Sequence, residues 1–118
     1  KNFKLSEFAC HDGSEMPEAV KANIRKLVTT VLQPLRDKVG TITIVSGYRS
    51  PAYNRAVGGA RHSQHLEGTA ADIKVAGRNP ASVAMLVETM FSPGGLGRYE
   101  YFTHIDIRAG RKARWGNN

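Results

Sequence analysis

The segment from Phe102 to Arg108 carries a pattern that limits where it can lie in any fold. A β-strand alternates its side chains between two faces, so a strand here puts three ionisable groups on one face: His104, Asp106 and Arg108. Such groups are costly on a buried face that offers them no partners. They are far less costly where the face lines a metal-binding cleft, and we predict that this strand does so.

A second group of candidate ligands lies in the segment Ser63–Asp72, which reads SQHLEGTAAD. His65 is predicted in a loop that ends at Gly68, because glycine permits the sharp turn needed there. Asp72 follows on the next strand, with its carboxylate on the face away from the apolar residues. We predict that His65, Asp72 and His104 bind one Zn²⁺ ion. Two imidazole nitrogens and one carboxylate oxygen leave a coordination position open, as a catalytic zinc requires.

The rest of the chain predicts alternating helices and strands. Expected helices run from Pro17 to Lys38, from Pro51 to the Gly58–Gly59 pair, and onward from Asn79–Pro80. Expected strands cover residues 41–46, 70–75, 96–99 and 102–108, and the last two are close enough to form an antiparallel hairpin. Pro34 should kink or locally open the first helix. The sequence therefore predicts one α+β domain over residues 1–118, with a small, mainly antiparallel sheet covered by helices on one side.

Composition narrows the classes of partner. The chain has 118 residues and a single cysteine, Cys10, so an internal disulfide is excluded. It contains no apolar run of about 18 residues and no signal segment, so we expect no membrane partner, and the export route stays open. The net charge of +7 favours a polyanionic partner, which bacterial cell walls offer as nucleic acids do.

A basic cluster around Trp115 near the end of the chain, from Arg108 to Arg114, could be interpreted as a strip that contacts nucleic acid. Short charge runs are usually a solvated face, so we expect no nucleic-acid partner. Trp115 itself is interpreted either as a platform that stacks on carbohydrate or as packing that holds the tail down.

The segment Ser63–Asp72, followed by His104, resembles the signature Ser-x-His-x-x-Gly-x-Ala-x-Asp…His of the M15 zinc peptidases. These enzymes cleave peptides of bacterial cell walls, and their wider group includes D-alanyl-D-alanine carboxypeptidases, lysostaphin-type endopeptidases and the hedgehog fold. Further similar segments extend along most of the chain: Phe3–Phe8, Ser46–Pro51, Gly58–Ala60, Gly94–Tyr99 and His104–Arg108. The resemblance implies a hedgehog or D-Ala-D-Ala-peptidase-like zinc fold, with His65, Asp72 and His104 as the ligands of Zn²⁺.

The function that the resemblance implies is zinc-dependent hydrolysis of an amide bond in peptidoglycan stem peptides or cross-links. The compact length and basic charge favour an endopeptidase of the endolysin type, and a D-alanyl-D-alanine carboxypeptidase is the alternative. A zinc-stabilised cell-wall-binding module without catalysis is the alternative from another class, because Tyr101 stands where several M15 branches carry an acid or His. We expect a monomer that acts at the bacterial cell wall or in the periplasm.

Asp106 is the candidate general base, because it shares a strand face with His104. The alternative interpretation is a carboxylate that orients the His104 imidazole or pairs with Arg108. His62, in the loop before the first ligand, is a weaker candidate for the base.

Arg49 completes the predicted catalytic set, since the resemblance places it at the cleft against a substrate carboxylate or the developing oxyanion. The alternative is a structural arginine that ties a loop to a carboxylate. Ser63 and Gln64 precede the first ligand and either bind the substrate by hydrogen bonds or fix the loop.

Overall fold

The computed structural model describes residues 2–116, so Lys1, Asn117 and Asn118 of the predicted domain lie outside the described residues. The helices are α1 (Glu18–Leu27), α2 (Gln33–Val39), α3 (Pro51–Ala56) and α4 (Pro80–Met90). The strands are β1 (Ile42–Ser46), β2 (Ala70–Val75), β3 (Gly95–Arg98), β4 (Thr103–Asp106) and β5 (Ala113–Gly116). Short 3₁₀ turns occur at Leu5–Phe8 and Gln64–Glu67.

The predicted first helix is interrupted just before Pro34, as expected. A π-helical segment, Val28–Leu32, joins α1 to α2. Proline has no backbone N–H to donate to the carbonyl of Thr30, and its ring would clash with that carbonyl in a regular α-helix. The wider π turn accommodates this position. Among residues 2–116, no helix combines the length and apolar character needed to cross a membrane.

The five strands form one sheet in the order β1-β2-β4-β3-β5. Neighbours are antiparallel except β3 and β5, which are parallel. The predicted α+β fold with a mainly antiparallel sheet is confirmed, and so is the hairpin of β3 and β4. The strand β5 was not predicted, because a short basic segment lacks the β-branched alternation that identified the other strands.

The two faces of the sheet have different roles. Ala71, Ile73 and Val75 on β2 belong to the hydrophobic core, together with Ile105 of β4 and buried residues of α1, α2 and α4. Ile73 and Ile105 are fully buried, which is worth about 1.5–3 kcal/mol for each side chain. Because β-strand side chains alternate, the intervening residues of β2 and β4 point away from this core. Asp72, His104 and Asp106 lie on that second face.

Candidate metal centre

Strand pairing brings two of the predicted ligands together. Asp72 on β2 lies directly opposite His104 on β4 in the antiparallel register, so both side chains project from the same face. His65 reaches them from the 3₁₀ turn Gln64–Glu67. Gly68 ends this turn with a φ of 77°, and a Cβ there would lie 2.7 Å from a methyl carbon of Val20. Glycine is therefore required both by backbone conformation and by the close approach of α1.

The three candidate ligands form a compact, buried group. One ligand atom of each residue lies within 4.8 Å of the other two, and the side chains of His65, Asp72 and His104 are at most 8% exposed. The Oδ1 atom of Asp72 is 3.2 Å from Nε2 of His65 and 3.0 Å from Nδ1 of His104. This grouping, predicted from the sequence, is the arrangement that a metal ion needs.

Hydrogen bonds on the far side of each imidazole show which nitrogen faces the centre. Nδ1 of His65 lies 2.7 Å from the carbonyl oxygen of Gly47, and Nε2 of His104 lies 2.8 Å from Oδ2 of Asp106. A carbonyl and an ionised carboxylate only accept hydrogen bonds, so these two nitrogens are the donors. In the neutral imidazoles the remaining nitrogens carry lone pairs, and both point at Asp72. Three acceptors that converge in this way fit a cation such as Zn²⁺.

Burial and polar contacts shift the pKa values of Asp72 and His104 in opposite directions. Burial raises the pKa of Asp72, but the close contacts of its carboxylate with His104 and His65 outweigh burial and lower the pKa to about 2. Burial lowers the pKa of His104, but hydrogen bonds with Asp106 and Asp72 raise it above the usual 6.5. A proton on His104 therefore competes with a metal ion for the same lone pair.

Asp106 is fully buried, and its carboxylate accepts four hydrogen bonds. Arg108 donates to it from Nε at 2.8 Å, from Nη2 at 2.7 Å and from its backbone N–H at 3.1 Å, while His104 donates from Nε2. Burial raises the pKa of Asp106, but the bonds from Arg108 and His104 hold it well below the usual range. These contacts favour the second of its two predicted roles, in which the carboxylate orients His104.

The three candidate ligands line a cleft of about 530 Å³. The cleft is also lined by six further residues that the sequence analysis singled out: Arg49, His62, Ser63, Gln64, Arg108 and Trp115. The aromatic side chains of Tyr99 and Phe102 line it as well. These two rings stack with their centroids 4.5 Å apart.

Arg49 follows β1 and lies beside Asp72, with 3.7 Å between its Nη2 atom and Oδ2 of that carboxylate. Its Nη1 atom donates to Oδ1 of Asn54 at 3.2 Å. The Nε atom is buried and has no hydrogen-bond partner. An unpaired buried donor costs about 1–3 kcal/mol.

Ser63 and Gln64 hold the ligand turn in place. The Ser63 hydroxyl accepts a hydrogen bond from the backbone N–H of His65 at 3.2 Å. The side-chain carbonyl of Gln64 accepts one from the Thr69 hydroxyl at 2.8 Å. Both residues also line the cleft, so fixing the loop and binding a substrate are compatible roles.

Tyr101 lies away from the metal centre. Its side chain is 70% exposed, and it borders a small groove formed with Ile73, Pro80 and Val83 on the helix side of the sheet. The position three residues before His104 therefore contributes nothing to the cleft in this chain. Glu67 is likewise exposed and does not line the cleft.

Trp115 was predicted either to stack on carbohydrate or to hold the tail down, and its place beside His104 was not predicted. Its indole ring lies 5.0 Å from the His104 ring, and its Nε1 atom donates to the Tyr99 hydroxyl at 2.7 Å. In the structure, residues of β5 alternate between half-buried and exposed positions. The sequence of these four residues contains no β-branched residue, so it was not predicted as a strand.

The fold and the donor set define a class of protein: a small α+β domain with a His–Asp–His group that could hold a metal ion at the floor of a cleft. The chain belongs to the M15 peptidases, because the family model described as Peptidase M15 matches residues 1–106. A search of curated proteins found no match. The predicted family and the peptidase class are therefore confirmed.

Proposed function

We propose that the protein hydrolyses an amide bond in peptidoglycan stem peptides or cross-links as a zinc-dependent endopeptidase of the endolysin type. One observation supports this most directly. Two imidazole lone pairs and a carboxylate converge at the floor of an open cleft, with the guanidinium of Arg49 beside Asp72. A structural zinc site has no need of such a cleft, whereas a catalytic site needs both an open coordination position and room for substrate.

The residues of the chain would divide the work as follows. His65, Asp72 and His104 would hold the Zn²⁺ ion. A zinc ion bound there would supply an acidified water at neutral pH and a positive charge for the carbonyl oxygen. Asp106 keeps the His104 imidazole in the tautomer that directs Nδ1 at the ion. Arg49 offers its guanidinium to a substrate carboxylate or to the developing oxyanion.

The charge of the protein supports this substrate class. The chain carries a net charge of +7, and two arginines line the cleft: Arg49 beside the ligand Asp72, and Arg108 beside Asp106, which orients the ligand His104. Wall stem peptides carry free carboxylates, which suit such a cleft. We propose that the protein acts as a monomer at the bacterial cell wall or in the periplasm.

The test is digestion of purified peptidoglycan by the zinc-loaded protein, with and without a chelator, and identification of the released fragments by mass. We expect peptide fragments that disappear with chelator and return when zinc is restored. His104→Ala should release none, whereas Glu67→Gln, which removes an exposed carboxylate outside the cleft, should match the wild type.

The products separate the proposal from its alternatives. Release of D-alanine alone would identify a carboxypeptidase and contradict the endopeptidase assignment. Retention on peptidoglycan with no fragments, at full zinc occupancy, would support a wall-binding module and contradict catalysis.

A further inference from the structure

Trp115 lies beyond residues 1–106, the part of the chain that the family model matches, yet its side chain reaches the metal centre. In the sheet, Trp115 of β5 is opposite Gly97 of β3, and Gly97 is opposite His104 of β4. Residues in register project from the same face. The indole therefore extends over Gly97 towards the His104 imidazole, and the two ring planes are inclined by 48°.

Gly97 provides the space that the indole occupies. A Cβ at this position would lie 2.5 Å from both Cε2 and Nε1 of Trp115, a separation that real Cβ atoms do not show. The φ of Gly97 is not in the left-handed region, so this glycine is explained by close approach and not by backbone conformation. The position of the ring is thus determined by the backbone of the central hairpin.

The indole also holds the residues behind His104. The guanidinium carbon of Arg108 lies 5.4 Å from the centroid of the Trp115 ring, within the range of a cation–π interaction. The same guanidinium donates two hydrogen bonds to Asp106, which accepts from Nε2 of His104. Trp115 therefore contacts His104 directly and, through Arg108, supports the carboxylate that fixes its tautomer.

We propose that Trp115 is a positioning residue for the metal centre, which holds His104 and Arg108 so that Nδ1 of His104 stays directed at the ion. This inference rests on the metal site of the proposed function. Residues that orient a ligand imidazole typically contribute about 10- to 100-fold to metal affinity. The indole N–H of Trp115 donates to Tyr99 and not to His104, so its effect should lie at the lower end of that range.

The ordinary role for such a tryptophan is to anchor β5, and a neighbouring residue allows the two roles to be separated. Arg114, on the opposite face of β5, donates to both carboxylate oxygens of Glu88 on α4 and to the carbonyl of Pro93. Arg114→Ala therefore loosens β5 from α4 without touching the metal centre. It is the matched control for substitutions of Trp115.

The experiment measures zinc affinity by competition with a chromogenic chelator at fixed pH, together with thermal melting, for four proteins: wild type, Trp115→Leu, Trp115→Phe and Arg114→Ala. Leucine fills the space over Gly97 but removes the aromatic face, and phenylalanine restores that face. We expect Trp115→Leu to weaken zinc binding by about tenfold, Trp115→Phe to recover most of the affinity, and Arg114→Ala to leave it unchanged.

A second readout needs no metal. In the metal-free protein the indole should displace the NMR resonance of the His104 ring proton, assigned by comparison with His104→Ala. That displacement should vanish in Trp115→Leu and persist in Arg114→Ala. Wild-type affinity in Trp115→Leu overturns the inference, and so does an equal loss of affinity in Arg114→Ala. A wild type that binds no zinc contradicts the proposed function itself, so the two failures are distinguishable.

Discussion

Replacing Asp106 by asparagine discriminates between the two roles of this carboxylate, because the change removes its charge with almost no change in shape. The buried carboxylate accepts three hydrogen bonds from Arg108 and one from His104. The asparagine amide has one oxygen and one NH₂ group. At least one N–H group of Arg108 or His104 must therefore face the NH₂ group, which cannot accept a hydrogen bond. If the NH₂ faces His104, Nε2 loses its acceptor, and the imidazole no longer favours the tautomer that directs Nδ1 at the ion.

The size of the effect follows from these contacts. Loss of at least one hydrogen bond to a charged group should lower the free energy of unfolding by about 1.5–3 kcal/mol. Loss of an orienting carboxylate should weaken zinc binding by about 10- to 100-fold, which corresponds to about 1.4–2.7 kcal/mol. Turnover at saturating zinc should fall much less, because the residues that line the cleft are unchanged.

The assay is chelator competition for zinc affinity, a melting curve, and cleavage of wall peptides at saturating zinc, with Glu67→Gln as the control carboxylate. The orienting role is refuted if Asp106→Asn keeps wild-type zinc affinity while turnover falls by roughly a hundredfold or more, which is the signature of a lost general base. In that case Asp106 moves the proton itself. If Asp106→Asn retains turnover at saturating zinc, Asp106 is not the base, and His62 on the cleft rim is the next residue to test.

Three further predictions follow from the same site. Elemental analysis of His65→Ala and His104→Ala should find less than stoichiometric zinc, and unchanged zinc in both would eliminate the site. Because the pKa of His104 is raised above 6.5, its proton stabilises the metal-free fold below that pH and this stabilisation is lost as the pH rises through the folded pKa. The same proton opposes zinc, so zinc affinity measured between about pH 5 and pH 8 should fall as the pH is lowered; full occupancy at about pH 4 without excess zinc would contradict the ligand assignment. Arg49→Lys keeps the charge but loses the planar fork, so melting and zinc content should stay near normal while cleavage falls markedly. A collapsed melting point with normal cleavage by the folded fraction would make Arg49 structural.

Local patterns in the sequence determined most of the elements. The alternation in residues 70–75 and 102–108 predicted β2 and β4 and put Asp72 and His104 on faces away from the core. Pro34 marked the interruption of the first helix. These predictions succeed because side-chain period, proline and glycine constrain the backbone within a few residues, without reference to the rest of the fold.

Non-local pairing decided the chemistry of the individual groups. Whether Asp106 is a free base or a buried acceptor depends on how far packing of the sheet buries it and on which nitrogen of His104 faces Asp72 of the neighbouring strand. The place of Tyr101 outside the cleft depends on where the hairpin turns. Trp115 reaches His104 only because β5 pairs with β3 across a glycine. Strand register and side-chain packing between distant segments set these contacts, and no local pattern in the sequence specifies them.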